Sequence, residues 1–190
     1  NPFTGSLDSV GSIPSYKHLK LVLNYLANPK MSKYMTNGKF EVAGIVPAGG
    51  VYLFLKDRAI DKPEKLAGKK FAIFDFDKSQ SLMVESMGAA PVSVTVQSIG
   101  PKFNNGSVDV MPAPAVMFEP FELYKGLGKT GGIINFALAQ ATAQLYIRHD
   151  RFPEGFGQKS RTYTKKMYTV AMDIIQNSTQ KIDSKYFFIK

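Results

Sequence analysis

No cysteine occurs among the 190 residues. Disulfides, zinc-thiolate sites and cysteine nucleophiles are therefore excluded. Histidine is almost as scarce. His18 lies beside Lys17 and Lys20, and His149 lies within Arg148-His149-Asp150-Arg151. Their spacing fits no metal motif, so both read as ordinary histidines and no metal or cofactor is expected. Long apolar runs are missing too. The longest, around Gly131 to Leu138, is far short of the ~20 residues a membrane span needs. A soluble chain with no stable membrane insertion is expected. The opening Asn1-Pro2-Phe3-Thr4-Gly5 has no initiator Met, basic region or apolar leader. It reads as the edge of a mature or truncated chain, which leaves export open.

Catalytic signatures are equally sparse. There is no G-x-S-x-G elbow, Walker A loop or G-x-G-x-x-G fingerprint. Gly126-Leu127-Gly128-Lys129-Thr130 has the residues of a phosphate loop without its spacing, and it follows a predicted helix rather than a strand. A flexible turn is expected there. No clustered acid-base set is visible, so an enzyme is not expected.

What is present is a globular composition, 44% hydrophobic with 21% charged residues, enough to bury a core. The formal charge is +9. Lysines and arginines are dispersed, with denser groups at Lys69-Lys70 and Arg161 to Lys166. No basic-aromatic stripe accompanies them, so a solvated basic surface is expected rather than nucleic-acid binding.

The pattern from residue 70 to 125 alternates strand and helix. Strands are predicted at 70–75, 92–96 and 108–111, and helices at 79–87, 97–105 and 118–125. Such alternation implies parallel pairing with right-handed crossovers. Ahead of it, Ser15 caps a predicted helix to Leu26, with Leu19, Leu23 and Leu26 as its apolar stripe. Two strands, 40–46 and 51–56, are expected around a tight Pro47-Ala48-Gly49-Gly50 connection. Pro101 is expected to limit where its helix starts. Further extended segments are expected at 133–138 and 144–148. A helix is expected over 155–180, then a tail with a short strand through Tyr186-Phe187-Phe188-Ile189.

Asp75-Phe76-Asp77 falls at the carboxyl end of a predicted parallel strand, where open α/β sheets take their ligands. Ser79 and Gln80 follow at a helix N-terminus, whose free N–H groups can hold a polar group. Asp77 or Ser79 could equally cap that helix. A dehalogenase-like D-x-D reading lacks a supporting lysine or a later acidic pair. Met111-Pro112-Ala113-Pro114 occupies the same kind of place after a later strand, as a pocket wall or a strand terminator.

Three segments carry a resemblance. Lys65-Leu66-Ala67-Gly68-Lys69-Lys70-Phe71-Ala72 resembles the D-L-K-G-L-K-I-R segment of DctP-like solute-binding proteins of TRAP transporters. Met87-Gly88-Ala89-Ala90-Pro91-Val92 resembles their L-G-A-x-P-V, and Phe103 to Val110 resembles their L-Q-T-G-V-V-D-G. Order and spacing match over about 40–175, and the N-terminal segment to Gly50 is similar to the AdeT-like solute-binding proteins. The resemblance implies a type II periplasmic-binding-protein-like α/β fold with two lobes around a cleft, its first strands lying ahead of Asn1. Residues 1–55 would form part of lobe I and 56–132 lobe II (βαβαβ). Residues 133–190 would supply hinge strands and a C-terminal helix returning to lobe I, the hinge running through 51–56 and 133–148.

The implied function is capture of a small molecule for a membrane transporter subunit, in the periplasm. The alternative is an accessory role in multidrug, aminoglycoside-type efflux. Efflux adaptors, however, need long coiled-coil heptads, which this chain lacks. In the family, the Arg of K-I-R clamps a substrate carboxylate. Ala72 stands there and cannot. Tyr52, Phe74, Asp75, Asp77, Ser79, Gln80, Met111, Ala113 and Asn135 are the expected ligand-lining residues, with Phe136 and Glu119 nearby. That mix suits a neutral or cationic, partly apolar ligand.

Overall fold

A computed structural model describes residues 1–75 and 77–188. The helices are α1 (Pro2–Gly5), α2 (Tyr16–Leu26), α3 (Ser32–Met35), α4 (Lys78–Ser86), α5 (Val96–Asn104), α6 (Leu123–Leu127), α7 (Phe156–Lys166) and α8 (Tyr168–Lys181). The strands are β1 (Thr36–Asn37), β2 (Phe40–Leu55), β3 (Lys70–Phe74), β4 (Ala90–Val94), β5 (Val110–Pro114), β6 (Gly132–Ile134), β7 (Ala139–Arg148) and β8 (Phe187–Phe188). Two compact units share them. Unit 1 is Asn1–Gly50 with Leu138–Asn177, and unit 2 is Val51–Ala137 with Ser178–Lys190.

In unit 1, β2 pairs antiparallel with β1 and also pairs with β7. Ser15 Oγ accepts from the His18 N–H and starts α2, whose Leu19, Leu23 and Leu26 are buried as their spacing predicts. Each such leucine contributes about 1.5–3 kcal/mol. The expected break at residues 47–50 is absent: β2 runs unbroken for 16 residues. Side chains replace the turn. The Gly50 N–H donates to Tyr16 Oη at 3.2 Å. Gly49 has φ +100°, and a Cβ there would lie 2.7 Å from Ile175 Cγ2. The glycine therefore admits α8 against the strand instead of turning the chain.

In unit 2 the strand order is β4-β3-β5-β2-β6-β8, with β2 present through Val51–Leu55. β3 is parallel to β4 and β5, as the alternating pattern predicts, while β2 runs antiparallel to β5 and β6. β8 is parallel to β6, and the Ile189 end of the expected tail strand lies outside the described residues. One face of this sheet carries the core, including Phe54, Ala72, Met111 and Ile133 against Ile99, Phe103, Phe118, Leu123 and Leu127.

Two helices depart from expectation. Pro101 sits inside α5 rather than at its start, because a reciprocal Thr95–Ser98 capping box begins the helix at Val96. The helix expected over 118–125 becomes a 3₁₀ turn, Ala115–Met117, followed by the short α6. Glu122 between them is left-handed, with φ +49°. Pro120 has no N–H with which to continue a helix from the preceding turn. The predicted helix over 155–180 is likewise two helices that meet at Met167.

Candidate functional site

The register of unit 2 gathers the expected site residues at one end of its sheet. β3, β4 and β5 are parallel, so their carboxyl ends share that end. β2 is antiparallel to β5 and pairs Tyr52 with Ala113 and Val51 with Pro114, which places its Tyr52 end there. β6 is antiparallel to β2 through Phe54–Ile133, so Asn135 follows at the same end. Phe74 ends β3, and Asp75, Asp77, Ser79 and Gln80 follow it. In a parallel sheet this is the end where ligands bind.

Local bonds then fix several of these groups. Asp77 caps α4: its Oδ1 accepts from the Ser79 N–H at 3.0 Å and the Gln80 N–H at 3.3 Å. Gln80 Oε1 accepts from the Phe74 N–H at 3.1 Å, bending the chain back at the end of β3. Two of the N–H groups at this helix start are therefore already engaged by a carboxylate. Asp75 and Asp77 flank Phe76, which lies outside the described residues. Ser93 Oγ donates to Asp75 Oδ1, joining the ends of β3 and β4. Asp75 and Ser93 are both exposed. Lys102 Nζ donates to the Ser93 carbonyl at 2.7 Å and brings a cation to the β4 side.

Ser93 and Lys102 escaped sequence reasoning. Their signal lies in pairing: Ser93 stands opposite Ile73, and Asp75 follows Ile73 by two residues. A single strand pattern does not reveal its neighbour's register.

The apolar candidates divide. Tyr52 and Phe74 are partly buried and pack on the core cluster, and Tyr52 meets Phe187 edge-on at 6.1 Å. Asn135 and Phe136 are exposed, and the Asn135 N–H donates to the Phe188 carbonyl at 3.0 Å. Met111 and Ala113, by contrast, are core: 0% and 1% exposed. Met111 stands opposite Phe54 and presents no surface to a solute. The strand pattern alone could not distinguish a pocket wall from core packing at that position. Ala72 is 1% exposed and pairs with Val92. One step beyond the Phe71–Val110 pair, it stands beside Met111. Val92, Ala72, Met111, Phe54, Ile133 and Phe187 form an apolar row across the sheet.

Both histidines have structural partners. His18 Nδ1 lies 2.8 Å from Ser15 Oγ, and His149 Nε2 lies 3.0 Å from the Gly38 carbonyl, which it can only donate to. Among the described residues no three His, Asp or Glu form a group that could hold a metal ion. A separate pocket of about 210 Å³ opens in unit 1, with Glu41, Phe152, Glu154 and Phe156 among its walls. It holds none of the expected residues. Its Glu41 carboxylate is already paired with Arg161.

The sequence profile of the family described as "Solute-binding protein AdeT 1/2" matches residues 1–189. The probable solute-binding protein AdeT1 of Acinetobacter baumannii is 44% identical over 187 residues, covering 98% of this chain. This chain belongs to the AdeT solute-binding protein family. AdeT2 of the same organism is 30% identical, over 84% of the chain. The AdeT-family chain spans 62% of AdeT1 and 67% of AdeT2. Its fold is that of TRAP periplasmic solute-binding proteins. The Citrobacter koseri protein, solved with D-glucuronate, matches with TM-score 0.77 at 15% identity, covering 98% of this chain and 64% of that one. The Desulfovibrio salexigens protein, solved with orotic acid, matches with TM-score 0.74 at 13% identity, covering 95% and 58%. The type II α/β expectation holds. No helix among the described residues is long and apolar enough to cross a membrane.

Proposed function

We propose that this AdeT-family chain captures a small solute at the carboxyl ends of β3, β4 and β5 and hands it to a membrane transporter subunit, in the periplasm and without catalysing a reaction. The observation that carries this reading is the convergence of Asp75, Asp77, Ser93, Tyr52, Phe74 and Asn135 on one end of unit 2's sheet. The hinge role of residues 51–56 and 133–148 is part of the same proposal.

The solute class follows from the chemistry at that end. D-glucuronate and orotic acid, bound by the two solved proteins, are carboxylates. The resemblance to the DctP-like family implies a carboxylate-clamping arginine at the position of Ala72. Here an apolar row fills that position, and the acidic side chains at the strand ends are Asp75 and Asp77, the latter already capping α4. A neutral or cationic, partly apolar solute fits this set, its apolar part against Tyr52 and Phe74 and its donors on Asp75. Lys102 stays on the Ser93 carbonyl and offsets part of the negative field.

A thermal-shift screen of the chain tests the reading with organic acids, sugars, amino acids and amphipathic cations. A ligand that binds the folded state raises apparent stability. The proposal expects a shift from a cation or a neutral amphiphile. No shift from any of the four classes counts against solute capture by this chain. The efflux alternative has no observation that favours it.

A further inference from the structure

α7 and α8 carry two apolar stripes back to back. Met167, between them, keeps right-handed backbone, and the Ala171 N–H donates to its carbonyl at 2.9 Å. The buried stripe keeps its phase across the junction, since Arg161 and Tyr168, seven residues apart, are both buried. One face is buried through Arg161, Tyr168, Met172 and Ile175. The opposite face shows Tyr163, Met167, Val170 and Ile174, which are 67%, 44%, 51% and 57% exposed. Steps of four, three and four residues align them in one row. Single exposed apolar residues are ordinary, but a contiguous row of four large ones marks an interaction surface.

Lysines border the row. Lys159 and Lys166 are exposed and one heptad apart. The next position in that line is Asp173, the one acidic residue in α7 and α8. From α2, Lys20 reaches Thr169, with its Nζ 3.4 Å from Oγ1. Unit 1 as a whole has eleven Lys and Arg against five Asp and Glu, a formal +6.

Charge complementarity selects the occupant. A nucleic acid would use the lysines and leave the apolar row wet. An uncharged apolar partner would use the row and leave the lysines unmatched. A bilayer with anionic headgroups satisfies both: phosphates meet the lysines, the row enters the headgroup-acyl boundary, and Tyr163 suits that boundary with its polar tip. We propose that the outward face of α7 and the first half of α8 docks peripherally on an anionic lipid surface. The docking involves no spanning segment, and it is independent of the solute-capture reading.

Sedimentation of the full 190-residue chain with vesicles tests it. One set contains equal parts phosphatidylglycerol and phosphatidylcholine; the other contains phosphatidylcholine alone. The chain is expected to pellet with the first set only, and less so as salt rises. Lys159→Gln with Lys166→Gln should weaken partitioning about 30-fold. Met167→Ser with Val170→Ser should weaken it about tenfold or more. Lys62→Gln with Lys129→Gln, an equal charge loss at exposed lysines of unit 2, should leave it unchanged. Circular dichroism of each variant shows whether the helices persist. Three results overturn the proposal: no binding to anionic vesicles, equal loss from the unit 2 pair, or no loss from the apolar pair in a folded variant. Capture of an acidic protein without vesicle binding overturns it as well.

Discussion

Arg161 Nη1 donates to Glu41 Oε1 at 2.6 Å, and Arg161 is 2% exposed. The pair ties α7 to β2 within unit 1. The guanidinium also donates to the Val42 carbonyl at 2.7 Å, and to Ser32 Oγ and Gln158 Oε1 at 3.0 Å. Gly157 makes room for the carboxylate, since a Cβ there would lie 2.0 Å from Glu41 Oε1. Such a pair is costly to break by halves, because the surviving charge stays buried.

Glu41→Ala is therefore expected to destabilise unit 1 by about 3–5 kcal/mol, read as a lower midpoint in urea unfolding. Glu41→Ala with Arg161→Met, which leaves no orphan charge, should recover part of that loss. Equal midpoints for the single variant and wild type would show that the pair carries no stability.

Ala72 is the next test. An arginine there would place a cation in the row of Val92, Met111, Phe54 and Ile133, with no carboxylate among them. Ala72→Arg should destabilise unit 2 by about 2 kcal/mol or more without conferring glucuronate binding. A folded variant that binds glucuronate in a calorimeter would show that this position is a ligand subsite after all.

Alkaline pH probes Tyr168. Burial pushes its phenol up from 10.0 to about 12. The folded chain keeps this proton more tightly than the unfolded chain does. The stability it contributes is thus whole below pH 10 and lost as pH rises towards 12, by about 2–3 kcal/mol. Tyr168→Phe should flatten the pH dependence of the unfolding midpoint between pH 10 and 12. An identical slope in both proteins would remove Tyr168 from the account.

Unit 2's parallel strands were legible in sequence because residues 70–111 alternate strand and helix with glycine stops, and each strand is short. β2 was not legible. Pro47 and two glycines read as a turn, yet the Tyr16 hydroxyl and the Ile175 side chain, distant in sequence, hold that backbone extended. At the site, Asp77 showed its capping role in sequence through Ser79 and Gln80. Ser93 did not show its link to Asp75, because strand register is set by the whole sheet. Met111 looked like a pocket wall, since a strand-end apolar residue reads the same whether it faces core or solute. Its burial is decided by Phe54 opposite, 57 residues earlier.

The central claim is that a solute binds at the strand ends of unit 2 and uses Asp75. Isothermal titration of the strongest thermal-shift hit into the chain, beside Asp75→Asn, tests this most directly. The account predicts a cationic or neutral amphiphilic ligand whose affinity falls about tenfold or more in Asp75→Asn. Glucuronate should give no measurable heat of binding in either protein. Unchanged affinity in the folded variant, or glucuronate bound more tightly than any cation, would contradict it.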